Sequence, residues 1–229
     1  MECYITTIQK SVKELLGTNF AKLESASLRL EKFLQYGKNM QGELNSICSS
    51  INQNGKKNIP KKDLPPGSIH FAMRSAARMM INQSGSILNL GILIHRHYGC
   101  PYIPGSALKG VTRHYVAENK LLEPEKTEQL FGRQESGGLV AFHEAFPADT
   151  AWSMIVDVLT SHHGSETRNP LPILFPALEK GSLFSFALSP LRGCSEEELN
   201  ICARFLKEAL KQNGIGAKTS AGYGWFREV

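Results

Sequence analysis

SEEELNICARFLKEALKQNGIGAKTSAGYGWF, residues 195–226, reads as a helix, a glycine-rich turn and the start of a strand. Ser195 with Glu198 three residues later has the spacing of a capping box, in which each side chain accepts from the backbone N–H of the other residue. Leu199, Ile201, Cys202, Phe205, Leu206 and Leu210 then recur at helical spacing, and Gly214 suits the C-cap. Four glycines, Gly214, Gly216, Gly222 and Gly224, fall within eleven residues around Lys218 and Thr219. A phosphate-binding loop of the G-x-x-x-x-G-K-[ST] type is excluded, because Ala217 precedes Lys218 and the glycines follow a helix instead of starting one. The better reading is a turn that lets backbone approach RNA or another backbone closely, with Lys218 supplying charge. A last strand is predicted around Tyr223–Arg227.

Upstream, GGLVAFHEAFP (137–147), MIVDVLT (154–160), PILFPAL (172–178) and SLFSFAL (182–188) are predicted strands, rich in β-branched and aromatic residues. SILNLGILIH (86–95) reads as a buried strand, and SALKGVTRHYVAEN (106–119) as a helix with Leu108, Val111, Tyr115 and Val116 on its apolar side. The order β-α-β-β-α-β with extra hairpins predicts an α+β, ferredoxin-like sandwich over residues 70–229. FAMRSAARMMINQSGSILNLG (71–91) sets no register. Arg74 and Arg78, four apart, extend a basic face if this stretch is helical, and a solvated helix is the plainer reading.

Toward the N-terminus, Ile8, Val12, Leu15, Leu16, Leu23, Leu28, Leu30, Phe33 and Leu34 predict one or two amphipathic helices, interrupted near Gly17–Asn19. Residues 37–68 are rich in Asn, Gln, Ser, Gly and Lys, close on NIPKKDLPPGS, and read as a linker or mobile loop. Residues 1–69 are therefore expected to be a helical extension with a flexible linker.

Of 229 residues 41% are apolar, enough for one substantial core. No run of eighteen apolar residues occurs and the first residues read as an amphipathic helix, so a cytoplasmic protein without membrane contact is expected. The five cysteines are scattered and lack a C-x-x-C pair, which predicts free thiols and neither a disulfide framework nor a zinc site. The net charge of +5 is unevenly spread: residues 71–120 hold six Lys/Arg against one Asp/Glu, and residues 121–229 hold ten against fourteen. One face for a polyanion and a more acidic one for protein neighbours or solvent fit that asymmetry.

In PYIPGSALKGVTR (101–113) two prolines and a glycine lead into a helix carrying Lys109 and Arg113 four apart. Backbone N–H groups at the helix start favour an anion there, and the two cations can flank a phosphodiester; an ordinary strand-to-helix turn with a solvated basic face reads equally well from the local pattern. Arg96, between two histidines in HRHYG, lies at a predicted strand end just before this loop and is a further phosphate candidate.

Taken in order, PYIPGSALKG, FGRQESGGLVAFHEAFP, VDVLTSHHG, PLPILFPALEKGSLFSFAL and GIGAKTSAGYG resemble the RAMP superfamily of CRISPR RNA-binding proteins. More narrowly they resemble the family of sixth subunits of the Cmr (type III-B) effector complex. The resemblance covers about residues 86–227. It implies an RRM-like ferredoxin fold in an RNA-guided antiviral ribonucleoprotein, with the chain near the 3′ end of the guide RNA. Implied partners are guide RNA, target RNA, the repeating backbone RAMP subunit, another end-capping RAMP subunit and the small helical subunit. It also implies that Gly105, Ser106, Lys109, Gly110, Arg113, Gly214, Gly216, Lys218, Thr219, Gly222 and Gly224 support guide binding and that the chain is not catalytic; no cofactor is expected.

Two other classes stay in view. A metal-independent endonuclease of the same fold would use a histidine such as His95, His97 or His162 as acid or base. A protein–protein adaptor would work through its N-terminal helices, the basic segment being solubilising. His95, His97 and Cys100 lie close in sequence, but their spacing does not force a metal site, and His143, Glu144 and Asp157 read as satisfied polar groups on strands.

Overall fold

Alternation along Ile69–Ser75 (β1) puts Phe71 and Met73 on one face and His70, Ala72 and Arg74 on the other, which makes this segment a strand with one buried side. The computed structural model describes residues 25–32, 34, 39–61, 63–81, 88, 91–133, 135–160 and 172–229. Within them the elements run α1 (Ala26–Lys32), α2 (Met40–Asn54), a 3-10 turn (Gly55–Asn58), β1, α3 (Gly105–Glu118), α4 (Pro124–Phe131), β2 (Val140–Phe142), β3 (Phe146–Pro147), β4 (Met154–Thr160), β5 (Pro172–Leu178), β6 (Leu183–Pro190), α5 (Glu196–Gln212), a 3-10 turn (Thr219–Ala221) and β7 (Phe226–Glu228).

The main sheet has the strand order β2-β6-β1-β7, antiparallel throughout, with β3 also paired to β6. Together with α3 between β1 and β2 and α5 between β6 and β7, this is the ferredoxin-like arrangement expected from the sequence. Helices α3 and α5 pack against each other, and α5 packs on β6, β1 and β7. On the face shared by Phe71, Met73, Phe184, Phe186 and Phe226, Phe226 meets Phe184 and Phe186 edge to face, while Phe71 stacks on Phe186 at 5.4 Å. Each such ring pair adds about 0.5–1.5 kcal/mol beyond area burial.

Between β3 and β6 the chain inserts the β4–β5 hairpin as a second, two-stranded sheet. Its strands coincide with the predicted MIVDVLT and PILFPAL. Pro172 and Pro176 are tolerated in β5 because a two-stranded ribbon leaves one side of each strand outside the ladder. The segment after β1 crosses to this hairpin, where Met79 and Leu178 exchange backbone hydrogen bonds at 3.0 and 2.9 Å.

The capping box of α5 is present: the Ser195 hydroxyl accepts from Glu198 N at 3.2 Å, and Glu198 accepts from Ser195 N at 2.8 Å. Lys126 on α4 also pairs with Glu198. The hydrogen bonds from Lys126 and the Ser195 backbone hold the Glu198 carboxyl down at about 2.

Four expectations are corrected. The 37–68 stretch read as a linker contains helix α2, which buries Leu44, Ile47, Cys48 and Ile51 against the core and packs on β4. These residues stand at i, i+3, i+4 and i+7, an apolar stripe that the surrounding Asn, Gln and Ser disguise. The stretch around Arg74 and Arg78 is not helical; Arg74 lies in β1, where it donates to Gly181 O at 2.7 Å. Ile92, Leu93 and Ile94 are buried as expected, but among the described residues 86–95 make one isolated bridge, Ile94 to Pro101, and no strand. The predicted strand 137–147 is split at residues 143–145, where Ala145 turns to pair with Ile103. The Gly17–Asn19 break lies outside the described residues.

Candidate nucleic-acid interface

The α5–β7 connection holds the glycine-rich loop, and its shape follows from two close backbone approaches. Gly216, at φ +95°, would drive a Cβ into the Met80 carbonyl, and Gly224, at φ +75°, into that of Ile215. Glycine removes both obstacles, so Ala217 N reaches Met80 O at 3.0 Å, Gly224 N reaches Arg78 O at 2.7 Å and Ile215 N reaches Gly224 O at 2.9 Å. Lys218 itself adopts the left-handed region at φ 60°, which costs a non-glycine residue about 1–2 kcal/mol. The tip is closed by Trp225 Nε1 donating to Thr219 O at 3.0 Å. Lys218 and Gly222 are exposed, and Thr219 is half-buried.

A polar latch, in which Asp157 and Tyr223 are buried and Arg78 stays exposed, ties this loop to the inserted hairpin. Tyr223 Oη donates to Asp157 Oδ2 at 2.8 Å, Arg78 Nη1 to Asp157 Oδ1 at 2.9 Å, and Val158 N to Asp157 Oδ1 at 2.9 Å. Arg78 also faces Glu179 at 3.4 Å. Burial alone would raise the Asp157 carboxyl, but the hydrogen bonds from Tyr223, the Val158 N–H and Arg78 outweigh it and hold the group below its ordinary range. Burial, reinforced by the hydrogen bond to Asp157, pushes the Tyr223 hydroxyl up to about 12. Asp157 is thus the satisfied strand carboxylate the sequence suggested, whereas its partners were not legible: Arg78 and Tyr223 lie 79 and 66 positions away.

Helix α3 meets the glycine-rich loop across a cleft of about 550 Å³, lined from the helix by Ala107, Val111 and His114 and from the loop by Gly214, Gly216 and Thr219 among others. Val111, expected on the core side, packs half-buried against the core at the edge of this cleft, and Thr112 is also buried and donates its hydroxyl to Leu108 O at 2.7 Å. At 3.6 residues per turn, Lys109 and Arg113 leave α3 on a different side from the Ala107–Val111–His114 stripe. Arg113 accordingly donates to Gly132 O at 3.2 Å, beside the end of α4. Ser106 and Gly110 are exposed, with open space around Gly110. Gly105 is not an open anion cradle: a Cβ there would meet the Phe142 carbonyl, so this glycine seats the helix start against β2.

His114 is a cleft residue that the sequence reading missed; its pairing with Glu118 at 3.6 Å and the Asn213 hydrogen bond to Glu118 at 2.8 Å form one rim. Arg96 belongs elsewhere. It pairs with Glu31 at 3.2 Å and lines a separate groove of about 730 Å³ with Arg29, Lys57 and His97.

Of the groups weighed for catalysis, His97 is exposed on the groove rims, whereas His95 and His143 are packed into structure. His95 stacks on Tyr98 at 4.6 Å and meets Phe146 and Tyr102 edge to face, and burial lowers its pKa. His143 shares a 2.7 Å hydrogen bond with Ser189. His162 lies outside the described residues. Among the described residues no group of three or more His, Cys, Asp or Glu is arranged to hold a metal. Cys48, Cys100, Cys194 and Cys202 are free, and burial pushes the Cys48 and Cys202 thiols up to about 12, which makes them unreactive. Among the described residues no helix is long and apolar enough to cross a membrane.

Residues 49–227 match the model of the RAMP superfamily. The CRISPR system CMR subunit Cmr6 of Saccharolobus solfataricus is 28% identical over 227 residues, an alignment that covers 95% of this chain and 70% of that protein. The CRISPR system Cmr subunit Cmr6 of Pyrococcus furiosus is 26% identical over 211 residues, covering 61% of each chain, less than two thirds of the relative's length. In fold, the chain is similar to a chain of the cryo-EM structure of the type III-B Cmr-beta complex bound to cognate target RNA, with a TM-score of 0.60 at 22% identity over 99% of this chain and 76% of that one.

Proposed function

The chain belongs to the RAMP superfamily, and from that premise we propose that it is a non-catalytic, RNA-holding subunit of a type III-B CRISPR effector complex, a counterpart of the Cmr6 subunits it is similar to. The observation that carries this reading is the convergence of α3 and the latched glycine-rich loop on one cleft. Backbone held in place by Gly214, Gly216, Gly222 and Gly224, with the Thr219 hydroxyl and the Lys218 ammonium, grips the sugar-phosphate backbone near the guide's 3′ region. Ser106, Gly110, Lys109 and Arg113 on α3 extend the contact around the helix, and Gly105 sets the helix in place. Because such contacts read phosphate, sequence choice rests with base pairing between guide and target RNA. Helices α1 and α2 and the acidic surfaces of the C-terminal half dock the backbone RAMP subunit, a further RAMP subunit and the small helical subunit, in the cytoplasm.

Purifying the tagged chain from its native host, sequencing the RNA that accompanies it and identifying the proteins tests the proposal. Repeat-derived guides with a common 3′ boundary, together with other RAMP subunits, are expected. A chain recovered alone, or one that turns over repeat RNA by itself, refutes it. In vitro, Lys109→Ala should make the log–log salt dependence of single-stranded RNA binding shallower by about 0.7; an unchanged slope removes Lys109 from the interface.

A further inference from the structure

We propose that the HRHYG turn, residues 95–99, is a second nucleotide site in which an unpaired base of single-stranded RNA stacks on Tyr98 and its phosphate lies against Arg96 and Lys57. The proposal rests on the RNA-holding reading and adds to it a contact that is aromatic instead of glycine-based and lies away from the α3 cleft.

The turn is a crest between two grooves. On one side is an aromatic groove of about 650 Å³, with Phe142 and Phe146 among its lining, Leu64 and Pro65 along it, and Lys61 and Asp63 also lining it. On the other is the groove of Arg29, Lys57 and Arg96, which also takes in Ser50 and Asn54. His97 and Tyr98 line both grooves, so one nucleotide straddling the crest meets cations on one side and rings on the other. Asp63 and Glu144 outnumber Lys61 in the lining of the aromatic groove, whereas Arg29, Lys57 and Arg96 line the other, which favours one orientation: base in the aromatic groove, phosphate in the basic one.

The ring is prepared for stacking. His95 stacks on Tyr98 at 4.6 Å and Phe146 abuts it edge to face at 5.8 Å, yet Tyr98 stays 38% exposed. Its neighbours thus hold the ring without covering it, and stacking a base there immobilises little that is not already fixed. The crest backbone is set as well: His95 N donates to Cys100 O at 2.9 Å and Gly99 N to His95 O at 2.8 Å. Gly99 packs so closely on the Gly55–Asn58 turn that a Cβ on Gly55 would strike its carbonyl. Arg96 is held by Glu31, whose side chain is 14% exposed, through one Nη2 contact at 3.2 Å, while the arginine side chain stays 64% exposed and keeps guanidinium surface for a phosphate.

The test is fluorescence anisotropy of the full chain with a labelled oligoadenylate, alongside a probe of the same length and charge that lacks bases. Tyr98→Ala is expected to weaken oligoadenylate binding about ten-fold without changing its salt slope, and to leave the baseless probe unaffected. Tyr98→Trp should restore binding, and Lys57→Ala should make the slope shallower by about 0.7. Unchanged thermal unfolding of these variants shows that the fold is intact. Unaltered oligoadenylate affinity in Tyr98→Ala, while Lys109→Ala still weakens it, overturns this site and leaves the RNA-holding reading standing. Equal loss on both probes overturns the stacking role, and absence of RNA binding by the wild-type chain overturns the site and that reading together.

Discussion

Tyr223→Phe removes a single hydroxyl from the latch while keeping the ring against Phe175, which it meets at 6.2 Å. The lost bond is to a charged acceptor and both groups are buried, so its worth lies near the upper part of the usual range, about 1.5–3 kcal/mol. Asp157 keeps Arg78 and the Val158 N–H, which prevents the larger penalty of an orphaned buried charge. For a chain of this length, a loss of about 2 kcal/mol corresponds to a fall of about 4–8 °C in Tm by calorimetry at pH 7. The sign of the pH dependence is also set. A carboxyl held below its ordinary range stabilises the fold fully above the unfolded value, and that contribution is lost as pH falls through the folded one. The gap between wild type and Tyr223→Phe should therefore close on acidification below the ordinary carboxylate range. Hydrogen exchange should speed up at the Ala217 and Gly224 amides, whose partners Met80 and Arg78 lie on the segment after β1 that the latch secures. A Tm change within about 1 °C at pH 7, or a gap that ignores pH, refutes the latch as a support of the loop.

Gly216→Ala and Gly222→Ala both place a side chain at positive φ, costing about 1–2 kcal/mol, but only the former also drives a Cβ into backbone, so urea unfolding should show Gly216→Ala clearly less stable; equal losses contradict the close approach. Ile47→Ala should cost about 2–5 kcal/mol in the same assay because the side chain is wholly buried in α2, and a neutral result returns the 37–68 stretch to a loose linker.

The ferredoxin-like order was legible because α5 and β6 carry strong local signals: the Ser195–Glu198 box, the apolar stripe of α5, and the aromatic, apolar run of β6. Helix α2 was hidden by composition, since polar residues on its solvent face outnumber the four that it buries. Strand β1 was obscured because its outward residues include Arg74, four from Arg78, a spacing that imitates a helix face. At the candidate interface, the glycine-rich loop could be read from glycine density. The side of α3 on which Lys109 and Arg113 emerge could not, because it depends on which stripe the sheet claims. Arg78, Asp157 and Tyr223 carry no local pattern at all; they become a unit only through tertiary structure. Tyr98 was within reach, as an aromatic residue flanked by His97 and a glycine at a predicted strand end.

The latch joins three stretches of chain, after β1, within β4 and just before β7, that are far apart in sequence. Contacts of such long separation form only after large loops have closed, which places them late in folding. The glycine-rich turn reaches the shape described above only when β7 has paired with β1 and the inserted hairpin has docked. A chain in which β7 or the hairpin is not yet in place keeps α3 and its cations but lacks the shaped turn, so the proposed grip on RNA depends on both docking steps.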